Sequence, residues 1–279
     1  MLARTALLLC HFAGTRVPRI VQQRAMSSYT LNKNIFNSSL YKDLQRTWFL
    51  NLSPSDKELP PTLFRRWFGR SPAFDSECRD NFAAALEEIG PEKLPNASAE
   101  PFIQEIHEAA QRNPSDGGAD AAWTALSLVL LLDQMPRNIY RDNEGLKKVF
   151  GHYDKISYSL MNHLLSSKSP IRPDIHPMWR YSLAFRIWFM LPLVHSEHMD
   201  AHIKVDEMMA ETEKDVRGSG NRSALMLLEG TIMTERKHRV ILDQFGRYPH
   251  RNGALGREST PEEKRFLAEG GDTFGVSQS

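Results

Sequence analysis

LSLVLLLDQMPRNIYR, residues 126–141, decides how the chain is read. An apolar run of helical character ends abruptly in Asp133, Gln134, Arg137 and Arg141. Buried polar groups of this kind must either enter a pocket or pair with charges elsewhere in the fold. Asp133, Arg137 and Arg141 fall four residues apart and share a helical face, so Asp133 can also pair with Arg137 within the helix. Pro136 is expected to bend or end that helix.

Helical periodicity continues outward in both directions, and alternating strand patterns are absent. Phe74, Cys78, Phe82, Leu86 and Ile89 repeat on one face, which predicts a helix over residues 75–89 with Asp75 as its cap and Gly90 as its stop. Further helices are predicted over residues 100–112, 123–135, 142–166 and 179–192, then over 196–216 and 223–244. Thr260-Pro261-Glu262-Glu263 carries a capping-box pattern and predicts a short helix through Leu267. The expectation is an all-α single domain of about eight antiparallel helices over residues 38–268, with a leader over 1–37 and a flexible tail over 269–279. No fixed repeat is visible, so any repeat architecture is degenerate.

Composition narrows the function classes. With 35 Lys+Arg against 34 Asp+Glu the net charge is +1, which gives no basis for nucleic-acid binding. The apolar stretches are too short, or too interrupted by charge, for a membrane span, which needs ~20 apolar residues. Two cysteines cannot build a disulfide framework. No acid precedes Asp43, while Arg4, Arg16, Arg19 and Arg24 punctuate a segment rich in Leu, Ala, Ser and Thr. That is the makeup of a mitochondrial transit peptide directing the protein to the matrix, with cleavage near Met26. The alternative is a secretory signal centred on residues 7–10, against which the later arginines count.

Phe245 to Arg257, FGRYPHRNGALGR, gathers Arg247, His250, Arg251, Asn252 and Arg257 among glycines with no acid. Arginine forks match carboxylate or phosphate oxygens two at a time, so an anion site is one reading; helix capping and pairing with buried acids such as Asp133 and Glu197, which would hold the loop in place, is the other. His195-Ser196-Glu197 is expected at a helix start, where Ser196 caps and Glu197 meets the dipole. His195, Glu197 and His238 are candidates for general acid–base work. His195, His198 and His202 have helical spacing that could bind a transition metal, but no HExxH or paired-cysteine motif accompanies them, and no metal or other cofactor is expected.

RWFGRSPAFD (66–75), LLLDQMPRNIYR (130–141), PLVHSE (192–197) and FGRYPHRNGALGREST (245–260) together resemble the family catalogued as domain of unknown function 924. The resemblance implies a helical fold similar to tetratricopeptide-repeat proteins and supplies no agreed activity. It singles out Asp133, Gln134, Arg137, Arg141, His195, Glu197, His238, Arg247, His250, Arg251, Asn252 and Arg257, and leaves His198 and His202 aside. The resulting expectation is a pocket for a small anionic ligand, with Arg137, Arg247 and Arg251 holding the anion. Asp133 and Glu197 would orient them, and His195, His238 and His250 would exchange protons. A peptide-binding scaffold and a hydrolase using His195, Glu197 and His238 are the alternatives.

Overall fold

The structure, a computed structural model, describes residues 29–276 except Lys168. Of the leader expected over residues 1–37, residues 1–28, with the cleavage site, lie outside the described residues. Among the described residues ten helices make up the fold: α1 (Ser38–Phe49), α2 (Pro61–Phe68), α3 (Pro72–Glu88), α4 (Glu100–Arg112), α5 (119–139), α6 (143–164), α7 (Leu183–Val194), α8 (Met199–Ser219), α9 (Arg222–Phe245) and α10 (Pro261–Ala268). Among the described residues there is no β-strand.

α7 is apolar on nearly every side and packs against α5, α6, α8 and α9. It runs two residues past Pro192, since burying Leu193 and Val194 outweighs the missing hydrogen bond. Around it lies the main core, reaching from Leu31 to Leu228. All five tryptophans belong to it or pack against it; Trp48 meets Trp188 edge-on at 4.9 Å, and Phe49 stacks on Phe185 at 4.3 Å. Among the described residues no helix is long and apolar enough to cross a membrane.

Local signals explain most boundaries. Asn37 caps α1, Asn221 caps α9, and Thr260 with Glu263 forms the expected capping box of α10. α3 starts three residues earlier than the periodicity indicates, because Ser71 is the cap and Pro72 occupies the first turn. α8 begins at Met199, so His195, Ser196 and Glu197 lie in the turn before it and His195 does not share its face. α1 and α2 both lie outside the helices expected from periodicity.

Two helices contain π-helical turns that position the functional residues. α5 runs as Ala119–Val129, a π turn over Leu130–Gln134, and Met135–Ile139. The π turn resets the hydrogen-bond register just ahead of Pro136, whose missing N–H then falls where a helix start does not need it. α6, capped by Asp142, runs as Asn143–Lys148, a π turn over Val149–Tyr153, and Asp154–Leu164.

Candidate functional site

Each π turn delivers an aspartate to the same place. Asp133, fully buried near the end of the first, has its Oδ1 2.8 Å from His195 Nδ1 and its Oδ2 2.5 Å from Gln134 Nε2, which donates to it. Arg137 Nη1 lies 3.5 Å from Asp133 Oδ1 and donates to the Asp133 carbonyl at 2.9 Å. Its principal partner is not Asp133 but Asp154, directly after the second π turn, gripped by both guanidinium nitrogens at 2.7 and 3.0 Å. Arg251 approaches Asp154 from the other side at 3.4 Å, its guanidinium lying 4.6 and 4.7 Å from the ring centroids of Phe150 and Tyr248.

The protonation pattern follows from these neighbours. Burial alone would raise the Asp133 carboxyl, but His195 and Arg137 more than offset it and hold it below the usual carboxylate range. Burial, reinforced by Arg137, lowers His195 below an ordinary imidazole despite the pull of Asp133. Asp133 is therefore the anion, and neutral His195 carries its proton on Nδ1 and donates it to that carboxylate. This tautomer leaves a lone pair on Nε2. No described residue hydrogen-bonds that nitrogen, and the side chain is 17% exposed while Asp133 is sealed.

Neighbouring rings close the site. His238 Nδ1 donates to the Thr234 carbonyl at 2.9 Å within α9, and burial pushes this imidazole down to about 3. Its ring centroid is 6.4 Å from that of His195. His250 packs at 5.6 Å against Tyr248, and burial with Arg251 beside it takes it to about 2. Both imidazoles are neutral at physiological pH.

The other residues singled out from sequence stand elsewhere. Glu197 accepts both forks of Arg257 at 2.7 and 2.9 Å and the Tyr248 N–H at 2.8 Å, fastening the loop after α9 to the turn after α7. Burial acts against its ionisation, but Arg257 and the Tyr248 amide prevail and lower its carboxyl. Arg247 binds Glu263 through two bonds of 2.7 and 2.8 Å, and Asn252 Nδ2 donates to the same carboxylate at 3.1 Å. Arg141 pairs with Asp75 at 2.7 Å on a more open surface. Thus Asp133, Gln134, Arg137, His195, His238, His250 and Arg251 come together, Glu197 and Arg257 brace one side, and Arg141, Arg247 and Asn252 are tied to partners of their own.

His202, buried, is bound by Glu235 at 2.6 Å and the Ser196 carbonyl at 3.0 Å, while the His198 ring stacks on Tyr158 at 4.8 Å. Among the described residues no group of three or more His, Cys, Asp or Glu side chains is arranged to hold a metal ion.

Sequence reasoning missed Asp154, Tyr248 and Phe274, the last stacked on His238. Asp154 had a signal: it lies on the same face of α6 as Phe150, Ser157 and Met161, an acid within a buried stripe. Phe274 had a weaker one, a lone aromatic in a glycine-rich tail.

Comparison with known proteins agrees with this architecture without adding an activity. No curated protein matches the chain. The solved structure of a protein of unknown function from Agrobacterium tumefaciens is similar, with a TM-score of 0.52 and 24% identity over 83% of this chain and 98% of that one, a likeness of fold. The family DUF924, described as a bacterial protein of unknown function, matches residues 44–271. With most of its length matched, the chain belongs to the DUF924 family.

Proposed function

We propose that the Asp133–His195 pair is the working centre of a small-molecule site, in which His195 Nε2 exchanges a proton with a bound substrate and Arg251, with Arg137 behind it, faces an anionic group of that substrate. One observation carries the reading: His195 is anchored through Nδ1 to a sealed carboxylate while its Nε2 is partnerless and reachable from solvent. A buried carboxylate that fixes the tautomer and supports the transient imidazolium is how enzymes prepare histidine as a general base. Arg251 adds an incompletely matched cation, since its contact with Asp154 is 3.4 Å and its buried Nε has no hydrogen-bond partner among the described residues. π turns recur at functional sites because they re-aim side chains that a regular helix would direct elsewhere, and this site has two.

The test is a thermal-stabilisation screen of small carboxylates and phosphate esters against the wild type, His195→Gln and Arg251→Met. A ligand at 100 times its Kd should add about 2.7 kcal/mol of stability to the wild type. The response should shrink in Arg251→Met, and any turnover of that ligand should vanish in His195→Gln while binding remains. An equal response in all three proteins would defeat the reading.

The scaffold alternative draws support from a different face. Met226, Met233 and Val240 recur every seven residues along α9 and are 67%, 63% and 63% exposed, an apolar stripe suited to protein contact. Their joint replacement by glutamate should abolish co-purification of any partner without touching the ligand response. We further propose a mitochondrial address on the strength of the acid-free, arginine-bearing leader; secretion of a full-length fluorescent fusion would overturn it.

A further inference from the structure

Beyond α10 the chain turns back over the helices. The Gly271 N–H donates to the Phe266 carbonyl at 2.9 Å, Asp272 lies 3.5 Å from Lys237 of α9, and Val276 packs against the Leu146, Val149 and Phe150 cluster of α6. Between those anchors Phe274 enters a slot beside the Asp133–His195 pair. Its ring lies flat on His238, with centroids 3.7 Å apart and planes at 11°. His250 and Tyr248 present their rings at 68° and 71° to it, with centroids at 5.5 and 6.3 Å. Stacking on one wall and edge contacts from two others are the geometry in which aromatic groups are recognised.

The occupant is held at a cost. Phe274 has φ +50°, in the left-handed region that disfavours side-chain-bearing residues. Gly275 next to it and Asp272 two residues before it are exposed, so apart from the Gly271 hydrogen bond and the 3.5 Å Asp272–Lys237 contact the ring and Val276 do most to fasten the segment. A slot that keeps a strained, lightly tethered phenyl ring is complementary to that ring and can exchange it.

We infer that the His238–Tyr248–His250 slot is a subsite for a planar aromatic group of the substrate, and that Phe274 occupies it in cis until the substrate displaces it. The inference rests on the reading of His195 as the working base, and it narrows the substrate to an aromatic ring bearing an anionic substituent, an aryl carboxylate or aryl phosphate. The ring lies on His238 and the anion points toward Arg251.

The test titrates the full chain and its Phe274→Gly variant with indole, followed by calorimetry and by the histidine ring signals in NMR spectra. Glycine removes the phenyl group and also relieves the backbone. The variant should bind indole saturably with a shift of the His238 ring signals, and the wild type should bind it at least tenfold more weakly. Adding His238→Ala to the variant should abolish binding, and Phe274→Trp should leave the slot as closed as in the wild type. Equal binding by wild type and variant, or none by a folded variant, would overturn the inference. Loss of folding in Phe274→Gly would do the same, because the ring would then be a structural clasp. Indole has no charge and is not turned over, so its binding reports on the slot whether or not His195 is the base.

Discussion

Arg247 with Glu263 and Arg251 with Asp154 are both arginine–carboxylate pairs, their arginines four positions apart in one loop, yet they finish very differently. Glu263 receives two bonds from Arg247, one from Asn252 and one from the Thr260 amide; the Arg247 fork drives its carboxyl down to about 2. Every oxygen is matched, and the pair locks α10 to the loop. Asp154 spends its short bonds on Arg137, leaving Arg251 at 3.4 Å with its buried Nε unmatched and burial lowering its proton affinity. In the first arrangement the carboxylate is fully matched; in the second the cation has capacity left over. Clustered arginines therefore do not mark a binding site by themselves, and the bonds that remain unmade are the better guide.

Removing each acid should separate the two arrangements. Asp154→Ala should have the largest effect, because it strips Arg137 and Arg251 of a shared counter-charge inside the fold. A loss of about 3–5 kcal/mol in urea unfolding is expected, and a change below about 1 kcal/mol would mean that water compensates Arg137 there. Glu263→Gln should cost less, about 1.5–3 kcal/mol for weakened charge-assisted bonds. This variant also has a pH signature. With the carboxyl held near 2 against an ordinary 4.5, its stabilisation is complete above about 4.5 and drains away as pH falls toward 2. The wild type should therefore lose stability faster than Glu263→Gln across that window, and parallel melting curves would refute the assignment. Arg141→Ala should have the smallest effect, less than about 1 kcal/mol, because its pair with Asp75 is partly solvated. A greater loss would show that the open pair is more tightly coupled than its exposure implies.

How much of this could be read from the chain follows the range of the forces involved. The buried face of α3 and the capping box of α10 depend on residues within one or two turns, and both were visible. The all-helical class followed from the same periodicity. Where each arginine ends up was only partly visible: pairing with a buried acid such as Glu197 was one reading of the loop, and Arg257 does meet Glu197 across 60 residues, but the pairing of Arg141 with Asp75 across 66 left no local signal. The motif residues therefore formed one set in sequence but divide in space into a centre and its fastenings. The π turns left no trace because a five-residue irregularity is lost within a 3.6-residue period. His195 and Asp133 were both singled out, but their direct bond depends on the turn between α7 and α8, which the sequence alone assigned to a helix start.

The two π turns also make this centre sensitive to a kind of change that substitutions do not mimic. A π turn holds one residue more than an ordinary turn, so deleting one position within 130–134 would restore a regular spiral, keep the turns on either side in their places and re-aim the side chains of the turn itself. Asp133 would leave His195 while the leucines before it kept their places. Length changes of a single residue in α5 or α6 would thus erase the chemistry while sparing the architecture. Relatives with uninterrupted spirals at these two places would be expected to share the shape without the proton-transfer pair.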